Sequence, residues 1–298
     1  MDTMLNTLAC ITVTFFPNFP ILEKQLELLP KESLKVIVDN SADEEIAGKL
    51  SELAATDSSI ALYFNKENIG LGAAINRGFR EISQSHPGID YLLLLDQDTE
   101  APAESVACLL NTFRQLEKSG FRVGTVGPNL YDPATGLYHG FHQPTRFFWR
   151  RVFQAPGSGA LIPCQNINGS GTLTTTKIFN SLHGLEESFF IDHIDTEWAF
   201  RLISQGYQIY GVANAVFTHR MGEVSDRIWI GKWVIWPRRS PTRVRFLFRN
   251  TFALIKRPYV PFVWKFWAVI KTCMTFGVCL THSNRGEYLK KIFRLTDS

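Results

Sequence analysis

Cysteine is scarce and scattered in this 298-residue chain. Cys10, Cys108, Cys164, Cys273 and Cys279 are odd in number, and none stands in a C-x-x-C pair. That argues against a disulfide framework or a zinc ribbon and favours a reducing compartment. Acids are almost missing from the last quarter. Residues 226–298 hold 15 Lys+Arg against 3 Asp+Glu, whereas residues 1–225 hold 16 against 25. The net charge of +3 therefore hides an acidic body and a basic tail, a distribution suited to phosphates, nucleic acid or an anionic membrane. A long uncharged apolar run is missing too. The most apolar stretch, "YVPFVWKFWAVIKTCMTFGVCL", is broken by Lys265 and Lys271. A span needs about 20 mostly uncharged residues, so an interfacial helix is expected instead. There is no internal repeat, and no secretory signal is expected. Met1-Asp2 begins acidic, and residues 8–16 read as a first strand.

What is present is globular: 45% hydrophobic and 20% charged, with length enough for a full core. Strand and helix patterns alternate over roughly the first 130 residues. "LACITVTFF", "LKVIVDNS", "IALYFN" and "YLLLLD" read as strands, and "ILEKQLELL", "EEIAGKLSELA", "LGAAINRGFREIS" and "PAESVACLLNTFRQLEK" as helices. This predicts an α/β fold built from βαβ units on a mostly parallel sheet. The unbroken leucines 92–95 suit a strand covered on both faces. Residues 125–190, rich in Gly, Pro, Asn and aromatics, suit loops that face substrate.

In such sheets ligands bind beyond the carboxyl ends of the strands. Asp39, Asp96 and Asp98 each follow an apolar strand, so all three are expected at one rim. Asp96-Gln97-Asp98 can present two carboxylates to a divalent ion that also takes phosphate oxygens. The competing reading is that Asp98 or Thr99 caps the next helix, with Pro102 in its first turn. A haloacid dehalogenase-type phosphatase is a poorer match, since Glu100 fills the fifth position of its motif. Gly70-Leu71-Gly72 resembles a dinucleotide loop, but Ile75 occupies the place of the third glycine.

The ordered set "VDNS", "NIGLGAAINRG", "LLLLDQD", "NGSGTL", "GLEESFFIDHIDTEWAFRL" and "HRMGE" resembles the family 2 inverting glycosyltransferases, and within them bacterial rhamnosyltransferases of O-antigen and surface polysaccharide assembly. The resemblance implies a GT-A fold, a nucleotide-sugar donor and an Mg2+ or Mn2+ ion. It implies that Asp39 meets the pyrimidine, Asp96 the ribose, and Asp98 the metal. Asn68, Gly70 and Asn76 would shape the nucleotide pocket. His219, in an H-x-x-G slot that ends at Gly222, would contact metal or phosphate. "NGSGTL" would line the sugars. By register the general base is Asp195, although Ile194 stands where the family more often has Glu. Asp192 and Glu197 stay open as partners in that role. The rival structural reading makes Asp195 the N-cap of a helix over 196–205, with Trp198 and Leu202 on its core face. His139, His142, His183 and His193 are expected at the surface or in acceptor loops.

These readings divide the chain into a glycosyltransferase domain at 1–225 and a basic, aromatic helical region at 226–298. That region would attach to a membrane or form an oligomer interface. The expected partners are a nucleotide sugar and a lipid-linked saccharide at the inner face of the cell membrane, without nucleic acid. A transferase of the same fold using another nucleotide sugar, or a non-catalytic membrane-attached adaptor, is the alternative.

Overall fold

The computed structural model describes residues 5–220, 225–229 and 233–293. Strands and helices alternate through β1 (Leu8–Thr14), α1 (Phe19–Leu28), β2 (Leu34–Asp39), α2 (Glu44–Ala55), β3 (Ile60–Phe64), α3 (Leu71–Ser85) and β4 (Tyr91–Asp96), as the periodicity predicts. A two-residue strand, β5 (Thr99–Glu100), precedes α4 (Ala103–Lys118). Then come β6 (Val123–Asp132), β7 (Leu137–Tyr138), β8 (Phe141–Pro144), β9 (Trp149–Val152), β10 (Leu161–Cys164) and β11 (Thr172–Thr175). They are followed by α5 (Thr176–Ser181), α6 (Ile194–Ser204) and β12 (Gln208–His219).

The main sheet runs β10-β12-β6-β11-β4-β1-β2-β3, with β5 on β12 and β7 on β6. Strands β1 to β4 are mutually parallel. β11 inserts antiparallel between β4 and β6, and β12 is parallel to β6. Leu92, Leu93, Leu94 and Leu95 are all buried, each burial contributing about 1.5–3 kcal/mol. Helix α3 lies so close to the sheet that a Cβ on Gly78 would stand 3.0 Å from Val38. Register then levels the rim. Asp96 pairs with Val13, Asp39 with Thr14 and Phe64 with Asp39.

The tail is not purely helical. It begins with a hairpin, β13 (Ser225–Trp229) and β14 (Trp233–Pro237), before α7 (Pro241–Lys256), α8 (Phe262–Thr281) and α9 (Arg285–Phe293). Nor does the boundary expected at 225/226 separate two cores. Leu254, Val260 and Trp264 belong to the same continuous apolar core as β4, while a small second cluster joins Val244, Phe248, Cys279, Tyr288 and Ile292. The reason is α7, which lies along the loop leading into α6. The fully buried Asn250 donates from one amide nitrogen to the carbonyls of Phe189 (2.7 Å), Ile191 (2.8 Å) and Asp192 (2.9 Å). Arg249 adds a hydrogen bond to the Ser188 carbonyl, and Phe246 stacks on Phe190 at 4.7 Å.

Replacing Asn250 strands three carbonyls next to the core, and unmet buried acceptors cost about 1–3 kcal/mol. Asn250→Ala should therefore lower stability by about 2 kcal/mol in urea unfolding. A variant as stable as the parent would show that the tail does not brace the body.

Candidate active site

The segment 96–100 is the junction on which the site is built. Its sequence allowed a helix cap at Asp98 or Thr99, but α4 starts later, with Pro102 at its N-cap position. Thr99 and Glu100 instead pair with the end of β12, His219 opposite Thr99. The buried Gln25 fixes this turn by donating to the carbonyls of Asp96 and Thr99, both at 2.7 Å. Gln97 accepts from the Phe15 amide at 2.8 Å. With its middle residue turned away to β1, the turn leaves Asp96 and Asp98 facing His219.

One ligand atom from each of Asp96, Asp98 and His219 lies within 4.8 Å of the other two. His219 Nδ1 is 3.4 Å from Asp98 Oδ1, and Nε2 is 3.8 Å from Asp96 Oδ2. Ser170 accepts from the Asp96 amide at 2.9 Å and contacts Thr99 Oγ1, which in turn meets His219 Nδ1 at 2.8 Å. A buffered imidazole held between two acids gains protons easily. Burial opposes the charge, but the Asp98 hydrogen bond and the fields of Asp96 and Asp98 outweigh it and raise the His219 pKa. Burial also raises the Asp96 pKa, with His219 opposing and Asp98 adding to it. This donor set fits a divalent cation, because two carboxylates and one imidazole leave coordination positions for phosphate and water. The side chains of Asp96 and Asp98 keep 37% and 42% of their exposure on the open side. Asp96, expected at the ribose, thus joins Asp98 and His219 in the metal-type cluster. Gly222 lies outside the described residues.

Asp195 sits at the start of α6, but it is not the N-cap. That position is His193, in the left-handed region at φ 65°, next to Asp192 at φ 64°. Oδ1 of Asp195 accepts from the Thr196 amide at 2.8 Å, and Gly169 of "NGSGTL" leaves room beside it, a Cβ there standing 3.5 Å from that of Asp195. Burial pushes its carboxyl up to about 6, opposed by backbone hydrogen bonds and reinforced by Asp96 and Asp192. The two alternatives to Asp195 are otherwise engaged. Glu197 is fully buried against Arg201, Arg257 and the Tyr259 hydroxyl. Asp192 takes a two-point contact from Arg243, at 3.1 and 3.2 Å. Trp198 and Leu202 face the core as expected.

The remaining sequence candidates divide. Asp39 is at the rim, 1% exposed, and its carboxylate accepts from Thr14 Oγ1 (2.7 Å), Ser41 Oγ (2.8 Å) and Ser41 N (3.0 Å). Beside it Phe15 and Phe16 are exposed, at 48% and 55%. Asn68 accepts from the Gly70 amide at 2.9 Å, shaping the turn into α3. Gly70, at φ 86°, is required by close packing. A Cβ there would meet the Phe190 backbone at 2.8 Å. Asn76, expected in the nucleotide pocket, is buried and spent on the loop before α6. It donates to the Leu185 carbonyl and Glu187, both at 2.9 Å, and accepts from the Leu185 amide at 2.8 Å. A separate recess of about 330 Å³ near Asn76 is lined by Glu186, Glu197, Arg201 and Arg257, whose charges pair with one another. His193 and His142, expected at the surface or in acceptor loops, are half-buried and engaged. His193 bonds Thr251 at 2.9 Å and packs edge-on to Trp264, and His142 stacks on Trp149. Gln25 carried no motif that marked it, since its amide acts on backbone brought from far along the chain.

The sequence profile described as Glycosyl transferase family 2 matches residues 24–165, a span that contains Asp39, Asn68, Gly70, Asn76, Asp96 and Asp98. The dTDP-rhamnosyl transferase RfbF of Shigella flexneri is 23% identical over 290 residues, covering 97% of this chain and 93% of that protein. A crystal structure of GalNAc-T7 with UDP, GalNAc and Mn2+ superposes with a TM-score of 0.57 at 16% identity over 72% of this chain. This chain spans 43% of the length of that one, and the likeness shows a shared fold.

A carboxyl raised to about 6 is protonated, and useless as a base, below that pH. Turnover that relies on Asp195 should therefore drop about tenfold per pH unit on the acid side of that value and level off above it. A rate measured across this range without an acid limb would remove Asp195 from the reaction.

Proposed function

We propose that this chain, whose residues 24–165 match the family 2 glycosyltransferase profile, is a metal-dependent inverting enzyme that moves L-rhamnose from dTDP-L-rhamnose to a lipid-linked saccharide in surface polysaccharide (O-antigen) assembly. The observation that carries the chemistry is the Asp96–Asp98–His219 cluster together with Asp195, whose carboxyl is raised first by burial and further by the charge of Asp96. The likeness to RfbF along nearly the whole chain supports the donor.

Asp96, Asp98 and His219 would hold Mg2+ or Mn2+, which supplies positive charge against the diphosphate as it departs. Asp195 accepts the proton of the acceptor hydroxyl while that oxygen bonds to the anomeric carbon from the face opposite the leaving group. The glycosidic C–O bond breaks and its electron pair leaves with the nucleoside diphosphate. Such base assistance is worth about 10²–10⁴-fold. A pKa near 6 suits it, because the carboxylate is free at neutral pH and still basic enough to take a proton. Thr196 and Gly169 hold that carboxylate at the helix start, with the strained loop 190–193 fixed from behind by Asn250.

The tail supports work at the cytoplasmic face of the membrane. Helix α8 is two-faced. Trp264 turns into the core, while Phe262 (80% exposed), Phe266 (52%), Val269 (45%) and Leu280 (39%) form an outward stripe at helical spacing. This stripe carries no acid, and it belongs to the strongly basic tail, a pairing that suits an anionic lipid surface.

Purified protein given dTDP-L-rhamnose, Mn2+ and a membrane lipid extract should transfer rhamnose, and removal of the metal by EDTA should abolish transfer. Asp195→Asn should bind donor but not turn over. Failure to transfer or hydrolyse any of a panel of nucleotide sugars would leave a non-catalytic adaptor.

Membrane attachment has its own check. The double change Phe262→Asp and Phe266→Asp should release the protein from floating phosphatidylglycerol vesicles without affecting its melting temperature. Unchanged flotation would refute the stripe as the contact.

A further inference from the structure

The β8–β9 hairpin presents two phenylalanines that the fold does not use. Its loop closes on itself: the Thr145 amide donates to the Phe148 carbonyl at 2.8 Å, and the Phe148 amide to Thr145 Oγ1 at 3.1 Å. Phe147 is left 67% exposed and Phe148 58%. The next residue, Trp149, packs against the main core, stacking on His142 of β8 and meeting Phe200 of α6 at 5.8 Å. The tip is thus held by its own hydrogen bonds and by a tryptophan set in the body. Neither hold needs the rings of Phe147 and Phe148. Single exposed apolar side chains are ordinary, but aromatics clustered in one patch mark a contact surface.

These rings are part of such a cluster. Trp267 of α8 donates from Nε1 to the Phe147 carbonyl at 3.0 Å, and its ring lies 6.0 Å from Phe148 and 5.7 Å from Phe266. Phe262, one helical turn before Phe266, shares its face. Phe147, Phe148, Trp267, Phe266 and Phe262 therefore make one continuous aromatic surface drawn from two elements. Its border is cationic. Arg146 lies over the Phe147 ring at 5.3 Å, and both Arg146 and Arg150 are exposed. No Asp or Glu occurs between Asp132 and Glu186, or anywhere in α8. A second copy docked through this surface would set arginine against arginine, and like charges oppose such a contact. An anionic leaflet meets both features at once, because aromatic rings settle at headgroup depth and basic side chains pair with lipid phosphates.

We propose that the β8–β9 tip, Arg146 to Arg150, is a second membrane-inserting element that enters an anionic leaflet alongside α8. The choice of partner rests on the membrane reading of α8, and the inference goes beyond it. One interfacial helix leaves the body free to roll about the helix axis. A tip joined to the flank of that helix removes the freedom. The tip belongs to the body and not to the tail, and through Trp149 and Phe200 it abuts α6, the helix that carries Asp195. Insertion of both elements then holds α6 in one orientation to the leaflet in which a lipid-linked acceptor lies. Two linked contacts also bind more tightly than either alone, so loss of one weakens the whole.

Flotation of the full-length protein, measured over a series of lipid concentrations with phosphatidylglycerol or phosphatidylcholine vesicles, tests this. The parent should partition into phosphatidylglycerol far more than into phosphatidylcholine. The double change Phe147→Asp and Phe148→Asp should weaken partitioning into phosphatidylglycerol by about tenfold or more. Arg146→Gln with Arg150→Gln should weaken it by about tenfold. Both pairs should keep the parent's melting temperature. Where the aspartate pair melts lower, Phe147→Ser alone, at the more exposed of the two positions, replaces it under the same criteria. Hairpin variants that float like the parent, while Phe262→Asp with Phe266→Asp is released, overturn the tip and leave the α8 reading standing. The reverse pattern upholds the tip and removes the α8 stripe. A parent that floats with neither lipid overturns both, and equal flotation with phosphatidylcholine overturns the anionic leaflet. A dimer in sedimentation velocity that the Phe147→Asp and Phe148→Asp variant dissolves, with flotation unchanged, would give the surface to a second copy and overturn the proposal.

Discussion

Backbone that turns through the left-handed region at Gly184, Phe190, Asp192 and His193 cannot meet its own hydrogen-bonding needs, and two buried asparagines do so from opposite sides. Asn76 of α3 serves Leu185, and Asn250 of α7 serves Phe189, Ile191 and Asp192. Non-glycine residues at such angles cost of order 1–3 kcal/mol each, so the loop holds its shape only while both braces are in place. Asp195 begins the helix that this loop feeds. The position of Asp195 is therefore set by the first βαβ units and by the tail together, which is why the body and tail share one core.

Electrostatics follow from that geometry. A carboxylate at a helix start is normally favoured as an anion by the helix dipole. Asp195 is pushed the other way, by burial and by the charges of Asp96 and Asp192, and its carboxyl is raised to about 6. Glu197, two residues on, is the contrasting case: Arg201, Arg257 and Tyr259 surround it, and it stabilises structure instead. Environment separates the two carboxylates.

The alternating elements, the buried β4, and the three rim acids were legible in the sequence because each depends on local periodicity and on the rule that ligands meet strand ends. The same local rules misplaced others. Asp98 and Thr99 resemble a helix cap, yet Thr99 is claimed by a strand from more than a hundred residues later. The family resemblance implies a pocket role for Asn76, and the loop at 184–187 takes up its amide. A tail read from composition as a separate basic region contributes Trp264 to the main core, because apolar content does not reveal which partner it will cover.

The sequence by itself determined the α/β class, the acids at the rim, and a strongly basic C-terminal region, since periodicity and charge counts are properties of the chain alone. Only the tertiary structure decided that Asp96 and Asp98 meet His219, that Asp192 and Glu197 are taken up by arginines, and that Asn250 of the tail braces the loop before Asp195. Each of those outcomes joins residues far apart in sequence, and such meetings are fixed by strand pairing and helix packing, which no local pattern encodes.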